Sequence, residues 1–263
     1  MNPAERLRIA AADVAALRAL EGADDALRAR REALRVWQAQ RLAHTHADLL
    51  AEPRHAQAAR FFLDELYGAK DFSQRDVELA RLIPTLTRFL PQAALDTIAD
   101  AVELDALSER LDLATARALQ ADPALAGRPI DDAAYARAYR SAGARTDRER
   151  QIELIGHIGG ALDRLVRQPL LSMLLGAMET PARLAGLSAM HAFLASGFRA
   201  FKAMRGADAF IERITRREAE LMQRFYAGTP DPVGRGGGPG MALGQGQGPR
   251  GRGLDTDASL GDH

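Results

Sequence analysis

Apolar residues return at three- and four-residue intervals through the first 228 positions, and no stretch alternates apolar with polar residues between turn signals. The chain therefore reads as all-α. Stop and start residues divide it into a single bundle of nine to ten helices. Residues 4–21 and 24–52 are expected as two helices broken at Gly22, with Asp24 capping the second. Leu7, Val14 and Leu17, then Leu27, Leu34, Leu42 and Leu49, recur about every seven residues. The short break predicts an N-terminal helical hairpin, and its leucine stripe calls for a cover. Residues 4–52 are thus the expected face for a protein partner or a homodimer.

Pro53 opens the next helix, expected to run to Tyr67 and stop at Gly68. Ser73 starts another, with Asp76 and Glu78 suited to its positive end; Pro84 should kink it and Pro91 end it. The pattern stays helical from Gln92 to Gln120, with a break expected near Leu104 and Asp105. Asp131 or Asp132 caps a helix through Arg140, and Thr146 with Glu149 has the spacing of a capping box that starts a long helix to about Gln168. The run from Pro169 to Met178 is the most apolar in the chain, about half the ~20 residues of a membrane span, and is expected as a buried core helix, the alternative being an interfacial membrane segment. Thr180 and Pro181 start a helix ending at Gly206, and Asp208 to Ala227 forms the last, closed by Gly228. Residues 229–263 hold eleven of the 23 glycines and four of the 12 prolines, a composition that predicts a disordered tail. The expected organisation is a hairpin (1–52), an all-α core domain (53–228) and that tail (229–263).

Charge and composition narrow the function. Over 263 residues, 35 basic side chains balance 35 acidic ones, so nothing in the total points to nucleic acid or an anionic surface. Locally the balance shifts: 53–144 carries 11 basic and 14 acidic groups, 145–225 carries 13 and 9, which suggests two segments facing each other. Lys70 and Lys202 are the only lysines. Without cysteine there is no disulfide, thiolate nucleophile or cysteine-ligated metal, which fits a reducing compartment. The N-terminus has no apolar stretch before a small-residue cleavage site, and a cytoplasmic protein is expected. The tail arginines Arg235, Arg250 and Arg252 are matched by Asp231, Asp255, Asp257 and Asp262 and lack interleaved aromatic rings, so no nucleic-acid partner is expected. Arg28, Arg31 and Arg35 form a basic stripe with acids nearby and read as a solvated face. No phosphate-binding loop or Gly-x-Ser-x-Gly elbow occurs.

Candidate chemistry is sparse. In the helix from Pro53, the residues Ala58, Phe62, Leu66, Ala59 and Leu63 share one arc, which Phe61 extends beyond Glu65. Glu65 therefore sits within an apolar face and needs a partner, whereas Asp64 points away towards Arg60. Tyr67 lies at the flank of the arc. The run Phe61-Phe62-Leu63-Asp64-Glu65-Leu66-Tyr67-Gly68, with the continuation Asp71-Phe72-Ser73-Gln74-Arg75-Asp76, resembles the FFLEELY-motif proteins, a bacterial family without an assigned activity. Arg148 to Ile155 and Gly197 to Phe201 look similar to it too, so the resemblance spans about residues 40–232, and it implies no catalytic residues. Asp64 stands where that family has glutamate.

Histidine is the remaining soft metal ligand, and the six make no convincing site; no metal is expected. Glu153 and His157 stand one helical turn apart and read as a solvated pair. His191 is surrounded on its helix by Leu184, Leu187, Leu194, Ala195 and Phe198 and should be at least half buried. Gly156, Gly159 and Gly160 interrupt another helix and let a second helix or a flat ligand come close. With no coherent catalytic set, the leading expectation is a binding or protein-interaction module without catalysis and without a cofactor. The alternative is a haem- or small-ligand-binding protein or enzyme in which His191, His157, Gly156 and Gly160 line one pocket.

Overall fold

Alanine, leucine, arginine and glutamate form helix readily, and proline or glycine ends the runs. The computed structural model describes residues 1–21, 24–65, 73–89 and 92–235, and among them it has twelve α-helices and no strand. They are α1 (Pro3–Glu21), α2 (Asp25–Thr45), α3 (Ala47–Ala51), α4 (Pro53–Glu65), α5 (Ser73–Phe89), α6 (Gln92–Ala121), α7 (Asp132–Ala142), α8 (Arg145–Val166), α9 (Pro169–Ala177), α10 (Glu179–Leu184), α11 (Ser188–Met204) and α12 (Asp208–Ala227). The count exceeds nine or ten because the chain turns at His46 and again at 185–187, where no proline signals a stop. Conversely, α6 runs through Leu104 and Asp105 unbroken, its polar residues there being bonded to arginines. The capping box does not form. Ala144, in the left-handed region, precedes α8, and Glu149 instead accepts from Arg145 Nε at 3.1 Å.

The 30-residue α6 is the axis of the molecule. Arg6 of α1 bonds Asp100 (2.5 Å) and Glu103 (2.7 Å), while Arg18, further along, reaches Asp105 and Glu109, each at 3.2 Å, so α1 and α6 run the same way. On α2, Arg31 pairs with Glu109 of α6, and Gln38 Nε2 donates to Asp112 at 2.8 Å. The two N-terminal helices meet on α6 far more than on each other. Leu7, Val14, Leu27, Leu34, Leu42 and Leu49 are all buried, so this chain itself supplies the cover that their spacing calls for. Arg31 is a second departure: a stripe expected in solvent puts Arg31 at 1 % exposure on Glu109, with Arg35 on the same carboxylate at 3.3 Å. The acids of α6 are thus answered chiefly by α1 and α2, and from the 145–225 segment by Arg150, 2.9 Å from Glu103.

Among the described residues four apolar clusters lie along this axis, and α12 spans the two largest. One joins Trp37, Tyr135, Tyr139 and Phe225 with Leu34, Leu119 and Leu221; Trp37 stacks on Tyr135 at 3.9 Å. Pro232 and Val233 are buried at this end, and Arg235 pairs with Asp132 (3.2 Å) over the Trp37 ring (5.6 Å). The tail expected from 229 is therefore seated on the core as far as 235; residues 236–263 lie outside the described residues. The other centre gathers Leu49, Ala58, Phe61, Val166, Phe201, Met204 and Phe210.

Several helix ends are completed from distant helices. Glu78 of α5, buried, accepts the backbone N–H of Met190 in the first turn of α11 at 2.7 Å. Asp163 of α8 accepts the N–H of Ala207 ahead of α12 at 2.9 Å, and Arg54 Nε donates to the carbonyl of Met204 at the end of α11 at 2.8 Å. Glu78 thus serves α11, not its own helix as the sequence suggests.

In α4 the buried face is His55, Ala56, Ala58, Ala59 and Phe61, with Phe62 only part buried, so the arc is turned towards Phe61. The Phe61 ring lies on Gly197 so closely that a Cβ there would stand 2.8 Å from Cζ. Phe61→Ala should cost about 3–5 kcal/mol and Gly197→Ala about 1–3 kcal/mol in urea unfolding. Combined with Phe61→Leu, the Gly197→Ala penalty should shrink by at least about 0.5 kcal/mol; strict additivity would mean that the ring and the glycine do not meet.

Candidate functional site

Three places in the fold gather polar or unusually exposed groups: the motif helix, the middle of the bundle and the α9 edge. In α4, Phe61 packs against Phe193 (ring centroids 5.5 Å apart), and Phe62 lies 5.9 Å from Phe201 and 5.8 Å from Phe210. The run around Phe61 and that around Gly197 are therefore packing partners. Leu63 and Glu65 are part buried, Asp64 is exposed, and Glu65 is not left without a partner. Leu66, Tyr67 and Gly68 lie outside the described residues.

In the middle of the bundle, ionisable groups converge that no motif announces. Arg41 of α2 donates to both oxygens of Glu218 in α12 at 2.6 Å, and His46 Nε2 stands 3.0 Å from the same carboxylate. Burial alone would raise the Glu218 carboxyl; Arg41 and the His46 bond outweigh it and hold it at about 2. Asp112 behaves oppositely, since burial pushes its carboxyl up despite the bond from Gln38 and the nearby Arg148. Arg148 Nη2 donates to Thr115 Oγ1 at 3.0 Å, its guanidinium lying 4.5 Å from the centre of the Tyr139 ring. Burial raises the Tyr139 phenol. Gln151 Nε2 donates to Ser108 Oγ at 2.8 Å.

These groups surround a cavity of about 50 Å³ closed by Tyr135, Leu221, Met222 and Phe225. That volume admits a few waters, whereas small-molecule sites run to about 300–1,000 Å³. Arg41, Glu218, Asp112 and Arg148 each face a protein partner, so the arrangement ties α2, α6, α7, α8 and α12 together. Among the described residues, no group of three or more His, Asp or Glu stands close enough to hold a metal ion.

The histidine and the glycines do not share a hollow. A Cβ on Gly159 would stand 2.8 Å from Ile211, and one on Gly156 3.6 Å from Thr215, so both glycines face α12. Gly160 lies beside the Arg164 side chain, and His157 is exposed. His191 is part buried and places Nε2 2.8 Å from the carbonyl of Leu175, tying α11 to α9.

The third place is α9 itself. The most apolar run of the chain has no buried residue: Leu170 is 72 % exposed, Met173 66 % and Leu174 55 %. The expectation of a core helix is overturned, because nine residues hung between α8, α10 and α11 turn only Leu171, Ser172 and Leu175 inward. Residues 170, 173, 174 and 177 form the outward stripe, a shallow apolar depression, and Met178, Leu184 (82 % exposed) and Leu194 continue the exposed apolar surface. Lys202 Nζ donates to Ser172 Oγ at 3.2 Å and fixes the helix from its polar side. Composition gave the signal for this patch, and only the missing burial partner separates it from a core helix.

A family model described as a domain of unknown function, DUF8198, matches residues 17–232. No curated protein and no solved structure matches the chain. No described helix is long and apolar enough to cross a membrane.

A carboxyl held below its ordinary 4.5 stabilises the fold above that value and loses the contribution as pH falls towards about 2. Glu218→Gln should therefore cost about 3 kcal/mol near neutrality and flatten the acid limb of stability against pH. Asp112→Asn, which keeps an acceptor for Gln38 and removes a charge that burial disfavours, should be neutral or stabilising near neutrality. Urea titrations across this range check both; a Glu218→Gln cost below about 1 kcal/mol would refute the Glu218 anchor.

Proposed function

The chain belongs to the DUF8198 family, and we propose that it is a non-catalytic binding module that docks through the outer face of α9 and α10. One observation carries this reading: the most apolar segment of the sequence buries none of its residues at home, while the spaced leucines Leu7, Leu27, Leu34, Leu42 and Leu49 of the N-terminal helices are buried. A cluster of exposed leucines and methionines of this kind costs solubility and contributes nothing to the fold, which is the mark of a surface kept for a partner. The small cavity of about 50 Å³ in the polar middle of the bundle supports the same reading from the other side, since small-molecule sites run to about 300–1,000 Å³. His191 fits it as a positioning residue whose bond to the Leu175 carbonyl holds α9 in place. A haem or ligand pocket between His191 and the glycines finds less support, because Ile211 of α12 already occupies the space over Gly159.

The triple variant Leu170→Ser, Met173→Ser, Leu174→Ser tests whether this face is free. Its stability should stay within about 0.5 kcal/mol of the parent, as for surface substitutions, and its binding of a hydrophobic reporter dye should fall sharply. A stability loss above about 2 kcal/mol would make these residues core and end the reading.

A further inference from the structure

We propose that the occupant of the α9 face is an anionic lipid surface, on which the protein sits without spanning it; this rests on the docking reading above. The chain is neutral overall, yet residues 163–205 carry six basic groups, Arg164, Arg167, Arg183, Arg199, Lys202 and Arg205, against two acids, Glu179 and the Asp163 that pairs with Arg167. All six are exposed. They stand on the end of α8 and the turn after it, on α10, and on α11 and the turn that closes it, the elements that hold α9. Arg199 and Lys202, three residues apart, share the side of α11 that carries His191 towards α9. An apolar helical stripe bordered by cations is the arrangement that seats side chains in the acyl boundary and guanidinium or ammonium groups among anionic headgroups.

Charge and shape separate this occupant from its rivals. A two-fold pairing of two copies through α9 would set one cationic border against another, which disfavours a second copy. A partner helix needs a groove walled by more than one element, whereas Leu170, Met173 and Leu174, each more than half exposed, line a shallow depression on α9 alone. Exposed leucines and methionines suit insertion. At nine residues, α9 is far too short to cross, so it lies along the interface.

Flotation of the full chain with vesicles tests the proposal, comparing pure phosphatidylcholine with an equal mixture of phosphatidylcholine and phosphatidylglycerol. Binding to the mixture should exceed that to phosphatidylcholine by about tenfold or more and weaken as salt is raised. The variants Leu170→Ser, Met173→Ser, Leu174→Ser and, separately, Arg183→Glu, Arg199→Glu should each lose at least about tenfold in binding to the mixture while keeping the parent's unfolding midpoint. Equal binding to both vesicles, or none to either, overturns the lipid assignment. So does a concentration-dependent dimer by light scattering that the serine variant abolishes, which would assign the face to a second copy. In these cases a stable serine variant leaves the docking reading standing, and an unfolded serine variant removes it.

Discussion

The helices α1, α2 and α8 are hung on the acidic flank of α6. Asp100, Glu103, Asp105 and Glu109 take guanidinium groups from α1, α2 and α8, and Asp112 takes the amide of Gln38. Burial alone would raise the Glu109 carboxyl, yet Arg31, Arg35 and Arg18 together hold it below the usual carboxylate range. Such pairs gain little over apolar packing, but losing one partner leaves a buried charge and costs about 3–5 kcal/mol. Their value is positional: each arginine finds its carboxylate only when its helix is seated at one level along α6. The near-absence of lysine follows, because a planar fork that tolerates desolvation suits these shared carboxylates better than a compact, strongly hydrated ammonium.

That network also explains why a chain of zero net charge can present a charged surface. Acids are drawn to the axis and used there, while basic residues on the helices around α9 remain outside. The internal polar cluster at Arg41, Glu218, Asp112 and Arg148 belongs to the same economy of closed partners. A hollow ringed by ionisable groups would ordinarily draw attention as a reaction site; at about 50 Å³ this one is small, and its charged groups tie neighbouring helices together.

Much of the fold was legible in the order of residues. The periodicity yielded an all-α chain, Asp24 and Asp131 cap as their positions suggest, and Gly228 closes α12. What failed was whatever depended on a partner far away in sequence. A periodic pattern reports which side of a helix is apolar but not what covers it, so the heptad leucines called for a cover that α6 and its neighbours supply, and Pro169 to Met178 looked buried when, among the described residues, its outer face stays exposed. Arg31 was read as solvated because its nearest acids in sequence are local, whereas its true partner is Glu109, 78 positions away. Phe61 outranks Phe62 because Gly197, on another helix, makes room for its ring. The cluster at Glu218 left no local trace at all, each member being an ordinary helix residue.

The caps supplied at a distance have a consequence for how the chain is made. Glu78 emerges from the ribosome more than a hundred residues before the Met190 amide that it bonds, and Arg54 waits longer still for the carbonyl of Met204. Until then a carboxylate destined for the interior must stay hydrated, so α5 cannot take its final seat before α11 has been made. Completion of the N-terminal half is thereby deferred to the arrival of α11, and a polypeptide truncated before that helix would be a client for chaperones and proteases.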